Sequence, residues 1–156
     1  MLKGFCASRA VTVAVGAATP EAQHLLKVTE DVLDAAIHQI GTGVRWSNVA
    51  TLIQSTVESN GYNVVREYVG HGIGRQLIEE PRVPNYPLRQ LPGEGLFLKP
   101  GMTFTVEPMI ICGRREIQLA ENGCTVLTCD GSLSAHARHT VAVTEEGVDV
   151  LTRDHQ

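Results

Sequence analysis

Apolar positions recur at helical period through two early stretches of the chain and at strand period thereafter. Leu25, Leu26, Val28, Val32, Leu33, Ala36, Ile37 and Ile40 share one stripe of a 3.6-residue helix. Thr19 is placed to cap this helix, Pro20 to occupy its first position and Glu21 to complement its dipole, and Gly41 and Gly43 end it. A second stripe of Val49, Leu52, Ile53 and Val57 follows Ser47 as its cap and stops at Asn60-Gly61. Ahead of both, the run AVTVAV at residues 10–15 predicts a short strand closed by Gly16.

Beyond Gly61 the runs are β-branched, at residues 62–68, 102–111, 116–119, 125–129 and 139–144. Asn122-Gly123 and Asp130-Gly131 are expected to close hairpins. Residues 81–92 are too rich in proline for a central strand and are expected to form a long loop. The order is therefore strand, two helices and a mainly antiparallel sheet. This is an α+β chain without an internal repeat.

Composition narrows the function classes. The 156 residues suit one domain, and 43% hydrophobic against 19% charged is a globular balance. A net charge of −4 with 4% aromatic residues argues against nucleic acid as a partner. Short, interrupted apolar runs argue against a membrane span, and Met1-Leu2-Lys3 does not open a signal peptide. A soluble cytoplasmic protein is expected. Cys6, Cys112, Cys124 and Cys129 form no CxxC pair, so neither a zinc finger nor a disulfide framework is expected. Cys124 and Cys129 sit in an apolar run and should be buried or half-buried.

Three segments place polar groups on apolar runs: Gly70-His71-Gly72-Ile73-Gly74-Arg75, Thr105-Val106-Glu107-Pro108-Met109, and Ser134-Ala135-His136-Ala137-Arg138-His139-Thr140. A histidine and a carboxylate on neighbouring strands suit a divalent metal, because rigid strands fix ligand directions. The same residues also suit a structural role, with Glu107 paired to an arginine and His71 hydrogen-bonded in a turn that requires glycine.

The stretches VVREYVGHGIGRQLIEEPRVPNY, LKPGMTFTVEPMI and DGSLSAHARHTVAVTEEG resemble the type I methionine aminopeptidases of the M24 metallopeptidase family. They stand in the family's order and spacing, and the two-helix stretch also fits. The resemblance implies the second half of a pita-bread fold, with two helices packed on a curved, mainly antiparallel sheet. It implies a single M24 domain over residues 1–156 that lacks the N-terminal repeat. It also implies an activity, removal of N-terminal methionine from nascent proteins, with two divalent ions (Co, Mn, Fe or Zn) holding the attacking water.

Carried over position by position, the resemblance keeps two of the family's metal ligands, His71 and Glu107. Ser8 stands where the family has an aspartate, Arg138 where it has a glutamate, and Ile78 where it has a substrate histidine. No residue of this sequence matches the remaining aspartate. An arginine is cationic at any ordinary pH, so Arg138 is expected to pair with Glu107 and leave the site free of metal. The sharper alternative is one Fe(II), Mn(II) or Zn(II) held by His71, Glu107 and His136, for which His136 and Arg138 must share a strand face. The bland alternative is an exposed or hydrogen-bonded His136.

Three functions remain open: a divergent or complementation-dependent metallo-aminopeptidase, a non-catalytic module that binds a protein or a peptide N-terminus, and a remnant without activity. A lone second repeat would expose a strand edge. The expected partners are therefore a second copy in a homodimer or a chain supplying the missing half, unless residues 1–16 cover that edge. Tyr62, Tyr68 and Tyr86 are expected to serve packing.

Overall fold

A computed structural model describes residues 2–88 and 95–153 of the chain. Two helices come first, α1 at Pro20–His38 and α2 at Trp46–Ser59. Ten short strands follow: β1 Asn63–Val64, β2 Gly70–Gly72, β3 Glu79–Val83, β4 Thr103–Val106 and β5 Met109–Ile111, then β6 Ile117–Leu119, β7 Val126–Thr128, β8 Ser134–His136, β9 His139–Val143 and β10 Val148–Val150. They form a five-stranded sheet in the order β10-β9-β4-β2-β3, a three-stranded sheet β1-β5-β8, and the ribbon β6-β7. Every pairing is antiparallel.

Helix α1 begins as its sequence dictates. The Thr19 hydroxyl accepts from the Ala22 amide at 3.2 Å, and Pro20 follows at the first helical position. Its apolar stripe, from Leu25 to Ile37, packs on α2 and on β4, β5 and β8. Helix α2 starts one residue before the expected cap. Ser47 lies inside the helix, and the preceding Arg45 makes no side-chain cap. Trp46 sets the start instead: its amide donates to the Leu96 carbonyl, its indole donates to the Pro84 carbonyl at 2.7 Å, and its ring meets Phe104 edge-on. Phe104, Val106, Ile110 and Val141 complete the core beneath the sheets.

Four expectations need correction. Residues 10–15 are not a strand of a sheet. They carry one isolated bridge, Ala10 to Arg138, because on either side of it the hydroxyls of Thr140 and Thr12 take the bonds a main-chain ladder would make. Residues 79–83 form β3 despite Pro81. β3 lies at the edge of its sheet, where a missing amide costs no ladder bond. Residues 89–92 of the expected loop lie outside the described residues. Asn122-Gly123 does turn the chain between β6 and β7, whereas Asp130-Gly131 joins β7 to β8, which pair with different strands. Cys124, in the turn between β6 and β7, and Cys129, just after β7, are exposed, and all four cysteines are free thiols. Among the described residues, no helix is long and apolar enough to cross a membrane.

Candidate functional site

β4 and β5 are one sequence run broken at Glu107-Pro108, and β8 and β9 are a second run broken at Ala137-Arg138. The pairs Val106 with His139 and Met109 with His136 share one register. Glu107 therefore lies directly opposite Arg138, and Pro108 opposite Ala137. Proline has no amide to donate, so the ladder lapses there and the two sheets diverge at the bend. The bend is where the polar side chains gather.

Glu107 is the centre of the cluster and is almost fully buried. Its Oε1 accepts from the Thr105 hydroxyl at 2.7 Å, and the same hydroxyl accepts from the His71 amide at 3.0 Å. Its Oε2 accepts from Arg138 Nη2 in a short ion pair. Arg138 Nη1 donates onward to the Ser8 hydroxyl at 2.8 Å. Two imidazoles flank the carboxylate, His71 Nε2 at 3.6 Å from Oε1 and His136 Nε2 at 3.7 Å from Oε2. Asn85, itself buried, donates from Nδ2 to the Glu107 carbonyl at 3.0 Å and holds the backbone at the bend.

The histidines differ in how they are held. His71 Nδ1 lies 2.9 Å from the Gly72 carbonyl, which can only accept, so Nδ1 carries a proton and donates there while Nε2 faces Glu107. Burial pushes the His136 pKa below its ordinary value and the neighbouring Arg138 adds to this, while Glu107 opposes both. His136 Nε2 and Arg138 Nε are buried without a hydrogen-bond partner. The His136 side chain is thus half-buried, with Nε2 turned to Glu107 and making no hydrogen bond.

Gly70 and Gly72 serve close packing and not a turn. A Cβ at Gly70 would strike the Thr105 carbonyl, and one at Gly72 the Glu80 carbonyl. The absent side chains let β3 and β4 close on both sides of His71 and fix its ring beside Glu107.

Ser8 reaches the cluster through the N-terminal segment. The Ser8 amide donates to the Thr140 hydroxyl, which donates back to the Ser8 carbonyl, both at 2.9 Å. Four residues on, the Thr12 hydroxyl bridges the His136 amide and carbonyl in the same way, at 2.9 and 2.8 Å. Between them Ala10 and Arg138 exchange main-chain bonds. The sequence therefore led to His71, Glu107, His136, Ser8 and Arg138, and the fold brings all five together. Ile78 stands apart, exposed in the turn before β3, where it and His71 line one shallow groove. Sequence reading missed Thr105, Thr140, Thr12 and Asn85. Thr105 alone had a signal, since it lies two residues before Glu107 on the same strand face.

A mainly apolar cavity of about 400 Å³ adjoins the cluster, lined by Tyr68, Met109, Ile117 and Leu127 and by His136. Tyr68 thus lines a cavity. Tyr62 and Tyr86 pack, Tyr62 with its hydroxyl on His24 and Tyr86 beneath the Arg66 guanidinium. Among the described residues, no three His, Cys, Asp or Glu side chains are placed to hold a metal ion together.

The family model described as "Metallopeptidase family M24" matches residues 1–145. The chain is 42% identical over 97% of its length to methionine aminopeptidase 1 of Bacillus subtilis, covering 60% of that protein. It is likewise 42% identical over 96% of its length to methionine aminopeptidase of Escherichia coli K12, covering 55% of it. Among solved structures, methionine aminopeptidase of Thermotoga maritima superposes with a TM-score of 0.91 at 44% identity, over 97% of this chain and 60% of that one. A dipeptidase of Pyrococcus horikoshii, at 23% identity and a TM-score of 0.72, shares the fold. The chain spans little more than half the length of the curated relatives it matches.

Proposed function

Since the chain belongs to metallopeptidase family M24, we propose that it is a methionine-aminopeptidase-like cytoplasmic protein that does not hydrolyse methionyl peptides on its own. The observation that carries this reading is the Arg138 guanidinium seated on Glu107 and Ser8, at the positions of two family ligands. The donor set does not fit a pair of divalent ions. Of the five ligand positions two remain, His71 and Glu107, and the cation of Arg138 engages the carboxylate of the second. At about 4 Å and an effective dielectric near 20, a unit charge repels a dication by roughly 8 kcal/mol. Burying a metal here would require Arg138 to leave. What the chain retains is a shaped surface, a mainly apolar cavity lined in part by His136, which suits a non-catalytic module that binds a peptide N-terminus or a protein segment.

One observation favours a second reading, a metallo-aminopeptidase that works with a single ion or with a complementing chain. His71 Nε2 keeps the orientation of a ligand, because Nδ1 is committed to the Gly72 carbonyl. Hydrolysis of a methionyl peptide in the presence of Co(II), Mn(II) or Fe(II) separates the two readings. No turnover is expected; turnover abolished by His71→Ala would establish the second reading in place of the first.

A further inference from the structure

The segment that delivers Ser8 to the site lies along the sheet with one side engaged, by a main-chain bridge at Ala10 and by threonine hydroxyls on either side of it. Residues 8, 10 and 12 face residues 140, 138 and 136 in a single antiparallel register, through the two threonine bridges and the central Ala10–Arg138 exchange. In an antiparallel pair, main-chain groups alternate between the two sides of a strand. Those of Val11 and Val13 therefore point away from the sheet, and no partner meets them among the described residues. Their side chains are 55% and 67% exposed, beside Val15 at 96%.

Natural edges are guarded by lysine, proline, inward charge or a covering element. Among the described residues this one has none of these. From Ala10 to Thr19 the chain carries no charge and no proline, and residues 11–15 include three valines and a threonine. An edge of this kind accepts an added strand through its main chain and through cross-strand side-chain pairs.

We propose that the occupant is the same segment of a second copy, paired antiparallel about a twofold axis at Thr12. The outward groups lie on odd-numbered residues, so a twofold at Thr12 sets Val11 of one copy against Val13 of the other, twice. Thr12 then meets Thr12 and Ala10 meets Ala14, and no like charges fall opposite each other. The arrangement is isologous and closes at two copies. It bears on the site as well, because the added strand braces the segment that holds Ser8 on Arg138.

Sedimentation velocity over a concentration series is the test. The full chain is expected to be dimeric and to dissociate on dilution. Val11→Lys/Val13→Lys places lysine against lysine at both Val pairs. It should weaken the dimer by about tenfold or more, because like charges directly opposite destabilise a strand pair, with the far-ultraviolet spectrum unchanged. Val11→Glu/Val13→Glu should do the same, and a mixture of the two variants should dimerise again. A wild-type chain that stays monomeric throughout, or a dimer indifferent to both double variants, overturns the proposal.

Discussion

Glu107 is a buried carboxylate whose two oxygens are held by different neighbours, Thr105 on one and Arg138 on the other. Removing one member of such a pair leaves the other charge without its counter-ion in a place that water hardly reaches. Fully buried pairs lose about 3–5 kcal/mol on this account. The Arg138 side chain is 25% exposed, so solvent screening lowers the expected cost of Arg138→Met to about 2 kcal/mol. Glu107→Gln combined with Arg138→Met should recover most of that loss, since no buried charge then remains. Urea denaturation of the two single variants and the double variant measures the coupling; additive losses would deny the pairing its role. At this scale the sequence was informative about residue types and silent about their second partners. Arg138 opposite Glu107 could be expected from charge alone. The threonine hydroxyls that bridge Ser8 and His136 to their neighbours could not, because they depend on a register that short, interrupted strands do not announce.

At the scale of elements, packing outweighs local preference. Helix α1 was legible because its cap, first proline and stripe agree. Helix α2 was legible in its stripe and misjudged at its start, where Trp46 is drawn inward by Phe104 and the Pro84 carbonyl. Strand β3 was hidden because a proline on an edge reads like a proline in a loop. Phe104 joins α2 to the five-stranded sheet and is fully buried, so Phe104→Ala should cost about 3–5 kcal/mol by chemical denaturation. A loss under 1 kcal/mol would mean that the interface repacks around the gap, at variance with this account.

The turn from β7 to β8 is pinned by Asp130. Its carboxylate accepts from the Ser132 hydroxyl, the Arg114 amide and the Ser132 amide, which together hold its pKa down to about 2 against an ordinary 3.8. The folded pKa lies below the unfolded one, so this stabilisation is present above pH 3.8 and is lost as the pH falls toward about 2. Asp130→Asn should flatten that part of the acid unfolding profile. An unchanged slope would show that the turn is held by other groups.

For the whole molecule, two helices on antiparallel sheets could be read from periodicity, and the pita-bread half-fold from motifs that span nearly the full chain. The split between the five-stranded and three-stranded sheets could not, because it follows from one proline at a bend and from the side chains that the bend collects. At the same bend Arg138, which the motif resemblance sets at a metal-binding carboxylate of the family, meets Glu107 through an ion pair. Metal analysis of the purified chain after exposure to Co(II), Mn(II) or Fe(II) and removal of free ion, beside Arg138→Glu treated alike, tests that claim most directly. The account predicts metal far below stoichiometric in the unsubstituted chain and a marked rise in Arg138→Glu; a stoichiometric ion in the unsubstituted chain would contradict it.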